Sequence, residues 1–323
     1  MPATRRVLVT GAGGPAGIAV IRDLTKLGHT TIAVDADPWA TGLALADAGV
    51  LVPRADDSNY GPALLAAAAL HDVDVLVATV VEEYPALQAL SPDLTAAGIA
   101  HWLPTIEAIA VTNDKLQFAE RLSDRGIAHP ATTTIVDGLG PWVVKPRSGR
   151  GSRDVTLTGD LQTAQAAVKF LDGHGIVQAM ATGREWTADV LTNHHGDVLC
   201  VVPRWRVEVK AGISTKGETF ADPTVIELVT KTVQACELAG VCNVQGFLTD
   251  EGPIIVELNP RFSGGLPLSL AAGADLVGGY VELVADPAAT INPERLTWVS
   301  GARMQRYFEA VFTLPDRGPT TSP

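Results

Sequence analysis

The chain has 323 residues and a formal net charge of −12 at pH 7, from 36 acidic and 24 basic side chains. A nucleic-acid-binding protein needs an excess of basic groups to neutralise phosphates, so this balance argues against a nucleic-acid partner. The length predicts two or three lobes, and a hydrophobic share of 46% is sufficient to build their cores.

Cysteine usage and the apolar runs predict the compartment. The chain has three cysteines, none in a CxxC pair: Cys200, Cys236 and Cys242. A small and odd number of cysteines is typical of a protein in a reducing compartment. No signal-peptide pattern precedes the first apolar run, and the most apolar stretch, residues 63–81, is interrupted by Asp72 and Asp74, so no membrane span is predicted. We therefore expect a cytoplasmic protein with no membrane partner.

Short apolar runs alternate with helical patterns over the N-terminal third. The predicted strands are Val7–Thr10, Thr31–Asp35, Gly49–Val52 and Val73–Thr79, with helical segments such as Ile18–Leu27 and Ala63–Leu70 between them. Apolar strands separated by helices are typical of a parallel sheet that is buried on both faces. The pattern predicts an N-terminal doubly wound α/β domain over residues 1–107.

Residues 108–183 have a different pattern, which predicts a small α+β lid lobe. A helix is predicted from Asp114 to Asp124, with Asn113 as its cap. A short strand, Trp142–Lys145, ends at a proline.

Residues 184–313 predict a strand-rich C-terminal lobe. Two hairpins are separated by a helix that Asp222 caps and that has Pro223 in its first position. The remaining residues, 314–323, are rich in proline, glycine and threonine, which predicts a loose tail.

A glycine-rich turn follows the first predicted strand. Gly11, Gly13, Gly14 and Gly17 open a helix, and Asp35 ends the second strand. This arrangement is close to a dinucleotide-binding fingerprint, in which the glycines approach a pyrophosphate and the acid binds a ribose. The alternative is a structural or substrate-lining turn, which doubly wound domains also use.

Oxygen-bearing side chains alternate along residues 257–261. Glu257 and Asn259 share a strand face, and Gln245 on the preceding strand of the hairpin adds a third oxygen. Oxygen ligands suit a hard cation such as Mg²⁺. Arg261 continues the spacing and could hold a phosphoryl oxygen. The alternative is an exposed strand face before a proline turn.

Lys145 closes an apolar strand and is followed at once by a loop of small residues and arginine. The loop residues are Ser148, Gly149, Arg150, Gly151 and Ser152. A lysine beside mobile backbone N–H donors is suited to a polyphosphate, although no Walker pattern is present. The alternative is a surface lysine at the end of a strand.

A local basic cluster lies in an otherwise acidic chain. It includes Arg204, Arg206 and Lys210, of which the two arginines share a strand face. These side chains predict an anion-binding substrate site, with Gly264 and Gly265 allowing close backbone approach. The alternative is a solvated strand.

The order of these features resembles the ATP-grasp superfamily, and within it the carbamoyl-phosphate synthetase large-subunit type. The resemblance covers nearly the whole chain, residues 5–310. Lys115 and Lys145 are similar to the two nucleotide lysines of the family, and residues 148–152 to the flexible loop that closes over the triphosphate. The fold implied is a doubly wound domain followed by a two-lobed ATP-grasp fold.

The resemblance also implies roles for the later residues. Gln178 and Met180 match the strand that reads adenine, and Glu185 matches the acid that binds ribose. Asn243 belongs to the implied nucleotide ligands, and the implied metal ligands are Gln245, Glu257 and Asn259. The implied catalytic residues are Arg261, Lys145 and Arg206. Many family members have an acid in place of Gln178, and the single short copy argues against carbamoyl phosphate as the product.

The implied activity is an ATP-dependent ligase with Mg²⁺ or Mn²⁺. A small carboxylate would become an acyl phosphate, which an amine would capture to give an amide, ADP and phosphate. Alternatives are a carboxylase or kinase-like enzyme with a non-amine acceptor, an NAD(P)-dependent dehydrogenase and a non-catalytic nucleotide sensor. The expected partners are a carboxylate and an amine, and a homodimer is one compatible assembly.

Overall fold

The computed structural model describes residues 3–149 and 154–313. The N-terminal part is the predicted doubly wound domain. Its parallel strands are β1 Arg6–Val9, β2 Thr30–Asp35, β3 Ala48–Leu51, β4 Val75–Val77 and β5 Ala100–His101, in the order β3-β2-β1-β4-β5. The helices are α1 Pro15–Lys26, α2 Thr41–Leu45, α3 Tyr60–Leu70 and α4 Tyr84–Ala96, with a 3₁₀ turn at Val81–Glu83. The strand order reverses between β1 and β4, where such sheets bind ligands.

The glycine-rich turn between β1 and α1 is shaped by close packing. A Cβ on Gly17 would lie 2.5 Å from the carbonyl oxygen of Gly11, so only glycine allows this approach of helix to turn. Gly11 has φ +61°, in the left-handed region that glycine favours. These glycines are therefore explained by the backbone path alone.

Two helices lead from the first domain into the small lobe: α5 Ile106–Asn113 and α6 Lys115–Asp124. The predicted cap Asn113 is wrong, because this residue ends α5. The cap of α6 is Asp114, whose Oδ1 accepts the N–H groups of Leu116 (3.0 Å) and Gln117 (3.2 Å). The missed break between α5 and α6 places Lys115 at the first position of a helix.

The small lobe contains a second sheet. The strands β6 Thr132–Thr133, β7 Trp142–Pro146, β8 Thr156–Thr158 and β9 Gly175–Ala179 pair antiparallel in the order β6-β9-β7-β8. Helix α7, Leu161–Phe170, covers one face, and a small core forms between them around Trp142 and Val177. Residues 145 and 178 therefore lie on adjacent strands.

The C-terminal lobe is a larger antiparallel sheet. Its strands are β10 Arg184–Thr192, β11 Val198–Lys210, β12 Ile213–Thr219, β13 Val241–Thr249, β14 Gly252–Asn259 and β15 Arg303–Gln305, in the order β14-β13-β10-β11-β12-β15. Helix α8, Pro223–Ala235, packs on one face against Trp186, Ala188 and Val190. Because side chains alternate along a strand, Glu185, Thr187 and Asp189 point to the opposite face.

Further helices, absent from the sequence prediction, seat the C-terminal lobe on the first domain. They are α9 Leu266–Ala271, α10 Leu276–Ala285 and a 3₁₀ turn at Pro293–Leu296. Val277 and Val281 of α10 share one buried core with Val7 and Val9 of β1 and with Val20 of α1. In the described part of the chain, no helix is long and apolar enough to cross a membrane.

Candidate active site

Residues from all three sheets line a cavity of about 1330 Å³. Its lining includes many of the predicted nucleotide and metal residues: Lys115, Lys145, Ser148, Gly149, Gln178, Met180, Glu185 and Glu257. The cavity continues to the first domain, where Gly11, Gly13, Gly14, Glu82 and Glu83 form part of its wall. The structure thus joins the glycine-rich turn and the lysine-bearing lobe in one site.

Lys145 lies at the base of this cavity, on β7, and only 8% of its surface is exposed. Its Nζ donates to Oε1 of Gln178 on β9 at 2.9 Å, and Nε2 of Gln178 donates to the hydroxyl of Thr132 on β6 at 2.9 Å. These two hydrogen bonds fix the side-chain amide of Gln178 so that its oxygen faces the Lys145 ammonium group. Gln178 therefore orients Lys145 as well as lining the nucleotide pocket.

The charge of Lys145 is destabilised by its surroundings. Burial lowers its pKa from 10.5 to about 8, the charge of Glu257 opposes this decrease, and the neighbouring Lys115 adds to it. A buried ammonium group with a neutral hydrogen-bond partner is short of compensating negative charge. A polyphosphate would supply that charge.

Lys115 reaches the same cavity from the start of α6. Its Nζ donates to the carbonyl of Gly149 at 2.9 Å, and its backbone N–H donates to the carbonyl of Arg147 at 2.9 Å. The Arg147 side chain in turn pairs with Asp114, with 2.6 Å between Nη2 and Oδ2. The head of α6 is thereby tied to the segment that follows Lys145.

Met180 and Glu185 form the wall that follows β9. Met180 is partly exposed, and its N–H donates to the carbonyl of Pro141 at 3.0 Å, which fixes the segment beside β7. Oε1 of Glu185 lies 2.8 Å from Nε of Arg206. Burial raises the pKa of Glu185, and the charge of Arg206 partly offsets the increase. Arg206, predicted to be catalytic, is thus engaged with the residue predicted to bind ribose.

The predicted metal ligands lie on adjacent strands in matched register. Gln245 is directly opposite Glu257 and Asn243 is directly opposite Asn259 in the β13–β14 pair. The register of the β13–β14 pair shifts between Gln245 and Gly246, so the pairing of residues after Gln245 could not be predicted from sequence spacing. Gln245, Glu257 and Asn259 are all half-buried, and Glu257 is in the cavity wall.

Arg261 follows these residues in a tight turn. Its backbone N–H donates to the carbonyl of Asn259 at 2.8 Å, and its guanidinium donates to the carbonyl of Phe262 at 2.8 Å and to Oδ1 of Asn259 at 3.5 Å. The turn keeps Arg261 beside Asn259. Among the described residues, neither Asn259 nor Arg261 lines the cavity, whereas Glu257 does.

Asn243 and Arg204 are placed differently from their predicted roles. Asn243 is buried, and its amide donates to Oδ1 of Asp189 at 3.0 Å. Arg204 is 1% exposed and lies 2.9 Å from Oδ2 of Asp189. Both side chains belong to a buried polar network beneath the sheet and are not in the cavity wall among the described residues. Nη2 of Arg204 and the amide of Asn243 are thus engaged within this network. The nucleotide role of Asn243 and the substrate role of Arg204 stay predictions.

The remaining predicted substrate residues are dispersed. Lys210 has a side chain that is 74% exposed and pairs with Glu208 at 3.6 Å, on the surface. Gly264 packs near Pro15, and Gly265 lies against the guanidinium of Arg204, where a Cβ would be 2.0 Å from Nη1. Gly265 thus makes room for the Arg204 guanidinium, and the approach of a ligand to Gly264 and Gly265 stays a prediction. The loop residues Arg150, Gly151 and Ser152 lie outside the described residues.

The dinucleotide interpretation meets a specific obstacle at Asp35. Oδ2 of this carboxylate accepts the N–H of Gly13 at 2.7 Å, and Oδ1 accepts the N–H of Asp37 at 3.0 Å. Both oxygens of the acid that would bind a ribose are thus engaged, one by the glycine-rich turn and one by Asp37, which leaves less acceptor capacity for a ribose. This geometry favours the alternative in which the turn lines a substrate site.

Sequence reasoning missed three residues that organise the site. Asp114 caps α6 and pairs with Arg147, Asp189 holds Arg204, and Tyr84 donates from the first domain to the carbonyl of Pro260 at 2.6 Å. A buried acid on an apolar strand was a usable signal for Asp189, because such groups are rarely unpaired. The contact of Tyr84 spans 176 positions and leaves no local pattern.

Comparison with known families gives two matches that together cover most of the chain. Residues 112–265 match the model of an ATP-grasp domain, and residues 7–101 match that of a PylC-like N-terminal domain. The boundary between the two matches lies close to α5, where the structure passes from the doubly wound domain to the small lobe.

Individual relatives are more distant. A D-alanine–D-alanine ligase of Mycobacterium avium is 26% identical over 291 residues, covering 76% of this chain and 74% of the relative. An arginine-specific carbamoyl phosphate synthase large chain of Lactiplantibacillus plantarum is 25% identical, covering 55% of this chain and 20% of the relative. A biotin carboxylase from Campylobacter jejuni, solved as a beta-gamma-ATP complex, has a TM-score of 0.69 at 18% identity, covering 92% of this chain and 74% of that one. This last likeness shows the shared fold.

Proposed function

We propose that this chain, which belongs to the ATP-grasp superfamily and carries a PylC-like N-terminal domain, is an ATP- and Mg²⁺-dependent carboxylate–amine ligase. The observation that carries the proposal is the convergence of Lys115, Lys145 and Glu257 on one cavity. Two ammonium groups and a carboxylate at this place suit a nucleotide triphosphate with its metal ion. The D-alanine–D-alanine ligase relative supports amide formation as the overall reaction.

The donor set fits magnesium. Gln245 is paired opposite Glu257, and Asn259 follows on the same face, which gives one carboxylate and two amide oxygens. Among residues 3–149 and 154–313, no group of three or more His, Cys, Asp or Glu could hold a metal. A site with a single carboxylate is normal for Mg²⁺, because substrate phosphates and water complete its coordination. When bound, Mg²⁺ supplies neutralising charge to the phosphate oxygens.

The chain's own residues position the nucleotide. In this proposal Lys115 and Lys145 hold the phosphates, Met180 contacts the base, and Glu185, held by Arg206, binds the ribose. Arg261 faces the transferred phosphoryl group from the turn after β14. Gln178 keeps the Lys145 ammonium in place through its amide oxygen. The protein therefore acts mainly by placement and electrostatics.

The reaction proceeds in two transfers. A carboxylate oxygen of the substrate attacks the γ-phosphorus, the bond to the β-phosphate oxygen breaks, and ADP leaves. The amine then attacks the acyl carbon, phosphate leaves with the bonding electron pair, and the nitrogen loses a proton to give the amide. The glycine-rich turn of the first domain supports a substrate-binding role, because it lines the same cavity.

A screen for ADP and phosphate release tests the proposal. Purified protein is incubated with ATP, Mg²⁺ and panels of carboxylic acids, each with and without panels of amines and amino acids. We expect release that requires both a carboxylate and an amine, with an equimolar amide product by mass spectrometry. Transfer of ¹⁸O from the labelled carboxylate to phosphate would identify the acyl phosphate.

Two outcomes of the screen would change the assignment. Carboxylate-dependent turnover without any amine would favour the alternative acceptors, since the fold is shared with a biotin carboxylase. Nucleotide binding without turnover under any condition would favour a sensor. An equimolar amide is the result that the ligase proposal requires.

A further inference from the structure

A buried hydrogen bond joins the first domain to the turn that carries the proposed phosphoryl-transfer residues. The hydroxyl of Tyr84 donates to the carbonyl of Pro260 at 2.6 Å. Tyr84 is the first residue of α4, and Pro260 lies between Asn259 and Arg261. The contact is buried, so water does not substitute for either partner.

In the part of the chain that the structure describes, the backbone of this turn makes few other hydrogen bonds. The carbonyl of Asn259 accepts the N–H of Arg261, and Pro260 has no N–H to donate. Among the described residues, the Pro260 carbonyl accepts its hydrogen bond from the hydroxyl of Tyr84. This carbonyl belongs to the peptide group between Pro260 and Arg261, so its orientation bears directly on where the Arg261 side chain points and, through Pro260, on how the turn leaves Asn259 at the end of β14.

The donor is held rigidly and stays protonated. Tyr84 is 3% exposed and packs in the same core as Leu87 and Leu90 of α4. Burial raises the pKa of the Tyr84 phenol well above its ordinary value, so the hydroxyl remains a donor at any working pH. The tyrosine directly follows the 3₁₀ turn whose Glu82 and Glu83 line the cavity.

We propose that Tyr84 is a positioning residue, whose hydroxyl fixes the Asn259–Pro260–Arg261 turn to the first domain. The contact thereby couples the first-domain side of the cavity, where we place the substrate, to metal binding and phosphoryl transfer. The inference rests on the proposed function, because it gives Asn259 and Arg261 their roles. Displacement of such groups by a fraction of an ångström is costly when geometry carries catalysis.

The test compares Tyr84→Phe with a matched control, Tyr280→Phe. Tyr280 is also a buried residue, and its hydroxyl donates to the carbonyl of Trp102 at 2.9 Å across 178 positions. Its ring packs edge-on against Phe262 beside the turn, and phenylalanine keeps that packing while removing only the hydroxyl. For each protein, calorimetry gives the affinity for ADP with Mg²⁺ and with EDTA, and a melting scan gives Tm. The ratio of the two affinities measures how strongly the metal and nucleotide depend on each other.

We expect both variants to lower Tm, since each loses one hydrogen bond made by a buried tyrosine. The affinity ratio should fall on the order of tenfold in Tyr84→Phe and remain at the wild-type value in Tyr280→Phe. In Tyr84→Phe the affinity for ADP in EDTA should stay within about twofold of wild type. p-Aminophenylalanine at position 84, which restores a donor, should recover the ratio.

The possible failures are distinguishable. If the wild type binds no ADP, or if Mg²⁺ does not strengthen ADP binding, both the proposed function and this inference are contradicted. If the wild-type ratio is large and Tyr84→Phe leaves it unchanged, the tyrosine is only structural and the inference alone is overturned. Should Tyr84→Phe not fold, p-aminophenylalanine and p-methylphenylalanine at position 84 provide the same comparison at nearly constant volume.

Discussion

Gln245 and Glu257 are directly opposite each other in the antiparallel pair of β13 and β14. Side chains of opposed residues in such a pair lie close together, so an amide oxygen and a carboxylate face the same small volume. The pairing links the two halves of the proposed metal site through backbone hydrogen bonds, independently of any loop. A change in either side chain should therefore affect chemistry more than folding.

Glu257→Gln should reduce ADP formation on the order of 100-fold or more, because it removes the only carboxylate in the proposed metal set. The isosteric amide should leave Tm within a few degrees of wild type. Glu251→Gln, on the exposed turn of the same hairpin, is the matched control and should have wild-type turnover. Wild-type turnover of folded Glu257→Gln would remove this residue from the site.

Titration of Lys145 should limit activity in alkaline solution. Its pKa is about 8 in the free protein, so the ammonium that we propose contacts phosphate is lost as pH rises through this value. We expect kcat/KM for ATP to decrease above pH 8, since this parameter reports groups of the free enzyme. Lys145→Met should have low activity without that decrease. The same alkaline decrease in Lys145→Met would assign the titration to another group.

The same lysine should make stability depend on pH in a defined direction. Its pKa is lower in the folded protein than the ordinary 10.5, so between pH 8 and 10.5 the unfolded chain binds the proton more tightly and stability rises with pH. The full effect is about 3 kcal/mol. The Tm of Lys145→Met relative to wild type should therefore be highest below pH 8 and decrease towards pH 10.5. A constant difference across this range would contradict the assignment.

Removing one partner of the buried ion pair between Arg204 and Asp189 should strongly destabilise the protein. Arg204→Met leaves a buried carboxylate without its partner and should destabilise the fold by about 3–5 kcal/mol. Adding Asp189→Asn should restore part of the loss. The control is Arg303→Met, whose exposed pair with Glu218 should contribute less than about 1 kcal/mol. Equal losses in denaturant titrations of the two arginine variants would refute the network.

Gly265 should not tolerate even alanine. Its φ is −92°, which any residue adopts, so the obstacle is steric: the added Cβ would lie 2.0 Å from Nη1 of Arg204. Gly265→Ala should destabilise the protein by about 1–3 kcal/mol. Gly159→Ala, where a Cβ would meet nothing within 4 Å, should be near neutral. Equal stability of both variants in urea would show that the Arg204 side chain moves aside freely.

The sequence predicts the features that depend on local periodicity. Alternation at Glu257 and Asn259 and the apolar strands of the first domain follow from a period of two and from burial on both faces. Nothing local distinguishes Arg204 from Arg206, which lie on the same face. One is enclosed by Asp189 and Gly265 and the other reaches Glu185, because contacts between distant segments decide their environments.

Helix boundaries and interdomain contacts were beyond sequence reasoning for a similar reason. Asn113 and Asp114 are both good caps, and the choice between them depends on the partner of Asp114, which is Arg147 just after the end of β7. The bond from Tyr84 to Pro260 requires the two domains to be docked. Such relationships arise only from the tertiary fold.

Nucleotide selectivity tests the central claim most directly. Melting curves are recorded with ADP or ATP plus Mg²⁺, and in parallel with NAD⁺ or NADPH at the same concentration. A ligand that binds only the native state raises Tm by mass action. The account predicts a clear increase with the adenine nucleotides, reduced when EDTA replaces Mg²⁺, and little change with the nicotinamide nucleotides. An increase with NAD⁺ or NADPH and none with ATP or ADP would contradict it.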